Sequence, residues 1–563
     1  MRPLPSGAVP DMIPTEVHVS LTPSLVHRRE WPSSVRLVMT CGGVVALLAA
    51  LLTVVARPAM AATIDTGAYY VLVNRHSGKA MDVWEWSTAN GGEIRQYDNL
   101  GGYNQQFRFV PTGDGYYALV NRHSGKAVDV WERSTADGAE IRQYDHHGGY
   151  NQQFRVVDSA GGDIRLINRN SGKALEVWEW STANGARISQ YTDHDGANQR
   201  WQLIKVTDNG GGSDTCGSGS YHAEVTKNGT TWTARKGGST LYTGSDMLQA
   251  MRAAVNSLTP GRTHKERVVV RGSGSMSAGS SLDLPSYTVL DVCGTINVTG
   301  SPSANHAAVR IRNAHDVEVP NISVTGNPYF GIFVRNASNV HFGQVDLRLS
   351  GGLGMRIDNH DNRSVRTRNV SIDHVYVSGT GNHGVETYGV DGITIGTVVA
   401  RNVAYSGLLL NDTINANVGL VDAENAGTGT GYAAFRMANR NGRIGDSYPV
   451  NIRVGEVRAR GGGRGVFCVS ESGGAVIDRI DLANTGNNAI LIENCYNVTV
   501  AGQSGTVRDS GEIRIAARSE FPNTANVTIQ NLTVTNTGIR ENPCGINITF
   551  RNITRINSSY NVC

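Results

Sequence analysis

The sequence predicts an all-β protein in two parts. The first is a small barrel made from three copies of one unit. The second is a long right-handed parallel β-helix, closed at its N-terminal end by one helix. Three observations predict this. The composition is turn-rich and low in charge, with 67 Gly, 39% hydrophobic and 18% charged residues. That excludes a coiled coil, a helical bundle or a disordered chain. One segment recurs at a fixed interval, with Asp82, Asp129 and Glu176 spaced by 47 residues. Short β runs then follow one another through the C-terminal half, with no hairpin signals and no helices between them. A chain of 563 residues exceeds one ordinary domain. A net charge of +3 supplies no global field for nucleic acid.

Residues 1–61 read as a signal peptide. The apolar run Val44–Val55 is too short to span a bilayer and suits a signal core. His27, Arg28, Arg29 and Arg36 precede it, and Ala59-Met60-Ala61 supplies a small-x-small cleavage pattern. The expected product is secreted and extracellular, with no membrane attachment after cleavage. The leader is long, so Met39 is an alternative start. Cys41 leaves with the leader, and six cysteines remain. An even number behind an export signal favours disulfides. Six cysteines allow 15 pairings. Nearness in sequence pairs Cys216 with Cys293 and Cys544 with Cys563; the coil register described below pairs Cys468 with Cys495. There is no Cys-x-x-Cys, so no metal site is expected.

The repeated segment spans residues 66–206. Its first copy reads Val-Asn-Arg-His-Ser-Gly-Lys-Ala-Met-Asp-Val-Trp from Val73 to Trp84, and the others start at Val120 and Ile167. Three units this short bury a core only together, as one threefold barrel. The copies end in Gln105-x-Phe107, Gln152-x-Phe154 and Gln199-x-Trp201. On these motifs the segment resembles the ricin-B type lectins, a family of carbohydrate-binding modules marked by Gln-x-Trp in each repeat. Phe replaces Trp in two copies, which keeps an aromatic core residue. The resemblance implies a β-trefoil with three sugar sites: Asp82, Tyr97 and Asn104; Asp129, Tyr144 and Asn151; Glu176, Tyr191 and Asn198. A sugar needs a carboxylate or amide for its hydroxyls and an aromatic face for its C–H side, and each triplet offers both. Glu176 is the longer acid, so the third site is expected to be the weaker. Trp84, Trp131 and Trp178 follow the acid by two and read first as packing residues.

Residues 207–216 form a Gly-rich linker by composition. In 217–563, the stretch Ser245–Ser257 carries a helical stripe of Leu248, Met251 and Val255. This is the expected cap. One strand then recurs behind a Gly or Ala: Gly331-Ile-Phe-Val-Arg335, Gly354-Met-Arg-Ile-Asp358, Gly384-Val-Glu-Thr-Tyr388, Gly407-Leu-Leu-Leu-Asn411, Ala434-Phe-Arg-Met-Ala438, Gly465-Val-Phe-Cys-Val469, Ala489-Ile-Leu-Ile-Glu493 and Gly511-Glu-Ile-Arg-Ile515, which puts Cys468 and Cys495 in adjacent coils. Alternation sends Met355, Ile357, Val385, Leu408, Leu410, Phe435 and Met437 inward. It sends Arg356, Asp358, Glu386, Tyr388, Asn411 and Arg436 outward, as one polar patch across about four coils.

In this register Asp358 and Glu386 are expected as neighbours on successive coils, the acid-plus-base pattern of glycoside hydrolysis. Arg356 and Arg436 flank them and suit a uronate carboxylate. His360, His383 and Asp412 stand at the strand ends as further substrate-binding candidates. His264, His306 and His341 read as ordinary loop residues. The bland reading of the patch is a ladder of neutralising charges, Asp358 with Arg356 and Glu386 with Arg436. The domain resembles the pectin-lyase-like superfamily of β-helical polysaccharide enzymes, in architecture only. The Asn-Thr-Asp, Asp-Asp, Gly-His-Gly and Arg-Ile-Lys strings of polygalacturonases are missing. No Lys follows Lys265, which excludes a lysine base in the coils.

The expected function is a secreted polysaccharide-degrading enzyme, a glycoside hydrolase on a plant or microbial polysaccharide with uronate a candidate, anchored by its lectin part. One alternative is a polysaccharide lyase with Arg356 or Arg436 as base. Another is a glycan-binding adhesin without catalysis. No cofactor is expected, except Ca²⁺ on Asp358, Asp361 or Asp412 in the lyase case.

Overall fold

A computed structural model describes residues 64–206, 216–428 and 431–563. The leader, the Met39 start and linker residues 207–215 lie outside them. Among the described residues no helix is long and apolar enough to cross a membrane.

The N-terminal part is a trefoil-like barrel of twelve strands. Its first strand, Tyr69–Asn74, pairs antiparallel with its last, Trp201–Lys205, and closes the barrel. Each repeat contributes one equivalent hairpin: Ala80–Val83 with Ile94–Tyr97, Ala127–Val130 with Ile141–Tyr144, Ala174–Val177 with Ile188–Tyr191. Phe107, Phe154 and Trp201 are fully buried beside Leu72, Leu119 and Leu166. Phe therefore does the packing of the motif's Trp. Each such side chain contributes roughly 1.5–3 kcal/mol of burial.

The C-terminal part is a parallel β-solenoid of about 13 turns. Two sheets run its length, one of 17 strands, parallel apart from an antiparallel trio at its N-terminal end, and one of 12 parallel strands. The shorter strands carry the predicted patch and are labelled here β1 (Phe330–Arg335), β2 (Leu353–Asp358), β3 (Val385–Tyr388), β4 (Leu408–Asn411), β5 (Phe435–Ala438) and β6 (Arg464–Cys468). Met355, Ile357, Val385, Leu408, Leu410, Phe435 and Met437 all point into the core with no exposure, as the alternation predicts. The leading glycines have a steric cause. A Cβ on Gly331, Gly354 or Gly384 would meet the carbonyl oxygen of the next coil's leading residue. The recurring Asn residues sit at turns in the left-handed region, as at Asn336 (φ 47°) and Asn402 (φ 53°). Asn tolerates this region better than other non-glycine residues.

The helix α1 (Met247–Asn256) lies where predicted, with the Asp246 side chain accepting from Gln249 N at 3.0 Å as its N-cap. Met247, Leu248, Met251 and Val255 enter the solenoid core. The cap also holds an antiparallel trio, Ala223–Asn228, Thr231–Lys236 and Ser239–Gly244, that the sequence reading missed. All three expected disulfides form: Cys216–Cys293, Cys468–Cys495 and Cys544–Cys563.

Candidate functional site

The parallel register corrects the expected carboxylate pair. Arg356 lies beside Glu386, and Asp358 lies beside Tyr388. The two carboxyls are thus diagonal, with the Arg356 guanidinium between them. Its Nε donates to Asp358 Oδ2 at 2.8 Å, and its Nη1 lies 2.5 Å from Glu386 Oε2. Asp358 is held from its other side by Arg335, which donates at 2.6 and 2.9 Å to its two oxygens. Arg335 also reaches Asp361 at 3.3 Å, and Arg312 pairs with Asp361. On the far side Asn411 Nδ2 donates to Glu386 Oε1 at 3.1 Å, and Asn439 donates to Asn411 at 2.9 Å. One polar ladder therefore crosses successive coils. Its pairing differs from the simple ladder of neutralising charges: Glu386 is met by Arg356, and Arg436 is not its partner.

The ladder sets the two carboxyls apart electrostatically. Asp358 has no exposure. Burial pushes its carboxyl up, but Arg335 and Arg356 more than offset this and hold it below the usual carboxylate range. Glu386 is pushed above its ordinary value by burial, with Asp358 adding to the rise and Arg356 opposing it. Glu386 also lines a cleft of about 450 Å³ with Tyr329, Phe330, Leu353, Arg335, Arg356 and Asn382. Asp358 does not line it.

The remaining candidates divide. His360 packs edge-on to Tyr388 at 4.7 Å, with Nδ1 3.7 Å from Asp358. His383 is buried, its Nδ1 accepts from Ser406 N at 3.0 Å, and burial with Arg436 and Arg356 nearby brings its pKa down to about 3. It is a neutral imidazole. Asp412 is drawn away to Arg366 at 2.8 Å. Asp358, Asp361 and Asp412, the residues expected to hold Ca²⁺ in the lyase case, are each paired with arginine. Among the described residues the grouping Cys216, Asp291 and Cys293 is spaced for a metal, but both sulfurs are spent in a disulfide.

Beside the expected Glu386 and Arg436 the structure adds Tyr405, Tyr432 and Arg464, which the sequence reading missed. Tyr405 and Tyr432 stack face to face at 3.9 Å and 8°, edge-on to His383. Arg436 and Arg464 both lie over the Phe467 ring, at 5.2 and 4.6 Å. Arg436 Nε and Arg464 Nη1 are buried without hydrogen-bond partners, and burial lowers both guanidinium pKa values. A signal was available: Tyr405 and Tyr432 each stand two residues before the leading Gly or Ala of a coil, and Arg335 occupies the offset of Asp358.

In the trefoil the predicted triplets assemble. Asp129 Oδ2 accepts from Asn151 at 2.9 Å and Gln152 at 3.0 Å. Asp82 makes the same bonds to Asn104 (3.0 Å) and Gln105 (2.9 Å), and Glu176 makes them to Asn198 (3.2 Å) and Gln199 (3.1 Å). Trp84, Trp131 and Trp178 are half-buried and face Tyr97, Tyr144 and Tyr191 at 6.0, 6.3 and 6.3 Å, so they border the sites. His147 and His194 lie 3.5 and 3.7 Å from Asp129 and Glu176; the sequence reading passed over both.

The described chain thus joins a lectin-type trefoil to a parallel β-solenoid. The ricin-type β-trefoil lectin domain-like family model matches residues 60–144 and 150–217, and this segment is a domain of that type. Among solved structures, the designed threefold-symmetric protein ThreeFoil is 54% identical, over 24% of this chain and 99% of that chain, with a TM-score of 0.24. An exo-β-1,3-galactanase from Clostridium thermocellum is 40% identical, over 26% of this chain but only 31% of that one, with a TM-score of 0.25. The Rhizoctonia solani agglutinin is 25% identical, over 26% of this chain and all of that one (100%), with a TM-score of 0.24. No curated protein matches. The assignment of the trefoil rests on the family model.

Proposed function

We propose that the chain is a secreted polysaccharide-degrading glycoside hydrolase, held on its polymer by the lectin domain, with Glu386 as the proton donor to the leaving oxygen. The observation that carries this is the position of Glu386: it is the carboxyl that reaches the cleft, and its burial favours the protonated form. In this reading Asp358 is a positioning residue. Locked and ionised between Arg335 and Arg356, it fixes the guanidinium that orients Glu386. Tyr405 and Tyr432 offer an aromatic face for sugar rings. Arg436 and Arg464, with buried nitrogens lacking partners, suit the carboxylate of a uronate-containing chain. Weak lectin sites on one polymer add avidity. Three disulfides suit an extracellular setting.

Arg436 favours a second reading. Its guanidinium pKa is lowered by burial, as an arginine base of a lyase requires. One experiment separates the readings: a panel of pectins, rhamnogalacturonan, arabinan, alginate, xylan and galactan, followed by reducing ends and ultraviolet absorbance, with and without chelator. Reducing ends without new absorbance identify hydrolysis; both signals identify a lyase. Neither signal, with sugar still bound, leaves the adhesin. Glu386→Gln is expected to lower hydrolysis by about 10²–10⁴-fold with fold and lectin binding intact. Retained activity refutes the assignment.

A further inference from the structure

The first trefoil site differs from its two copies at a position that faces the solenoid. Leu100 stands where the other repeats have His147 and His194, whereas Trp86 differs from Arg133 of the second repeat but is matched by Trp180 of the third. Leu100 and Trp86 pack with Tyr376 and Val399 of the solenoid's longer strands. Trp86 lies over His374 at 4.7 Å and is 5% exposed, whereas Trp180 is 48% exposed. Polar links flank this contact: Arg401 donates to Tyr97 Oη at 3.2 Å, Thr397 donates to the Leu100 carbonyl at 3.3 Å, and Arg458 meets Asp98 at 3.1 Å.

Between the two surfaces lies a partly open cavity of about 330 Å³. Asp82, Trp84 and Asn104 wall it on the lectin side, and Arg348, His374 and Tyr376 wall it on the solenoid side. His374 is 2% exposed with neither ring nitrogen bonded, and Arg348 Nη2 is buried without a partner. Buried polar nitrogens of this kind are normally satisfied. The walls do not favour an anion: Arg401 is paired with Asp422 at 2.6 Å, Arg348 with Asp346 at 3.2 Å, and Glu424 adds negative charge.

We propose that this cavity is a composite sugar site, in which one neutral hexosyl or pentosyl residue is gripped by Asp82 and Asn104 of the lectin domain and by His374 and Arg348 of the solenoid at once. It rests on the lectin reading and goes beyond it, because half of the site belongs to the other domain. The sugar then acts as a joint, and its binding free energy adds to the docking of the two parts.

The test uses the full chain and saturation-transfer NMR with methyl glycosides of the common hexoses and pentoses. Tyr144→Ala with Tyr191→Ala removes the aromatic faces of the two open sites. This double variant is expected to retain transfer to at least one glycoside. Adding Arg348→Ala or His374→Ala is expected to weaken that residual affinity about tenfold, with Arg348→Lys recovering part of it. The same solenoid substitutions in an Asp82→Ala chain leave the open sites unchanged, which controls for folding. Loss of all binding in the double variant, or indifference to Arg348→Ala and His374→Ala, overturns the proposal. A wild type that binds no glycoside instead fails the lectin reading itself.

Discussion

Asp82 in the trefoil and Asp358 on the solenoid are both almost removed from water, at 5% and 0% exposure. Their carboxyls nevertheless move in opposite directions. Asp82 is bonded only by the neutral amides of Asn104 and Gln105; burial dominates and its pKa rises to about 7. Asp358 takes three guanidinium bonds from Arg335 and Arg356, and its pKa falls. The charge of the partners, rather than depth, decides which form the fold prefers.

Asp358→Asn is the harshest test of that contrast. It takes from the half-buried Arg335 and Arg356 guanidiniums the carboxylate they share, leaving them only Asp361 and Glu386, and the expected loss is about 3 kcal/mol in a denaturant melt. A loss below about 1 kcal/mol would mean that Asp358 is not the keystone of the ladder. Asp129→Asn in the trefoil is the matched mild case. Both amide bonds there fall on the single oxygen Oδ2, so an Asn carbonyl can accept both. The expected cost is about 1 kcal/mol or less in the same melt, with weaker sugar binding from the lost charge. The pH profile gives the finest test. Asp358 stabilises above the ordinary value of 3.8, and that stability is lost as pH falls through its lower folded value. Asp82 has the reverse sign: its contribution is full below 3.8 and is lost as pH rises through about 7. Asp82→Asn is therefore expected to flatten the decline between those values in thermal melts recorded across pH. An unchanged slope would assign that decline to another group.

The fold was legible because its rules are periodic. A 47-residue interval and a leading Gly or Ala in each coil report barrel closure and close strand approach. The cap trio carried Asn228-Gly229 and Gly237-Gly238 at its turns, sound hairpin signals overlooked beside one clear helix. The site was legible as far as the outward face. Alternation places Arg356, Asp358 and Glu386 on the surface of the sheet, but register within the ladder depends on which arginine reaches which carboxylate. Arg335 one coil earlier took Asp358 out of reach of the cleft. Contact between the domains was beyond any repeat-based reading. Leu100 looks like ordinary drift within a repeat, and Trp86, shared with Trp180, like an ordinary repeat residue, until the solenoid surface stands beside them.

The solenoid is nearly one-dimensional: each coil rests on its neighbours and on little else. In such an array the weakest points are its ends, where a coil has one neighbour instead of two. Cys216–Cys293 ties the first coils and Cys544–Cys563 ties the last, while Cys468–Cys495 bridges two adjacent coils nearer the middle. The crosslinks thus act as stops against unravelling. Opening must then begin at an interior seam, where two interfaces resist it together, and the polar ladder of the cleft lies within the stretch so protected.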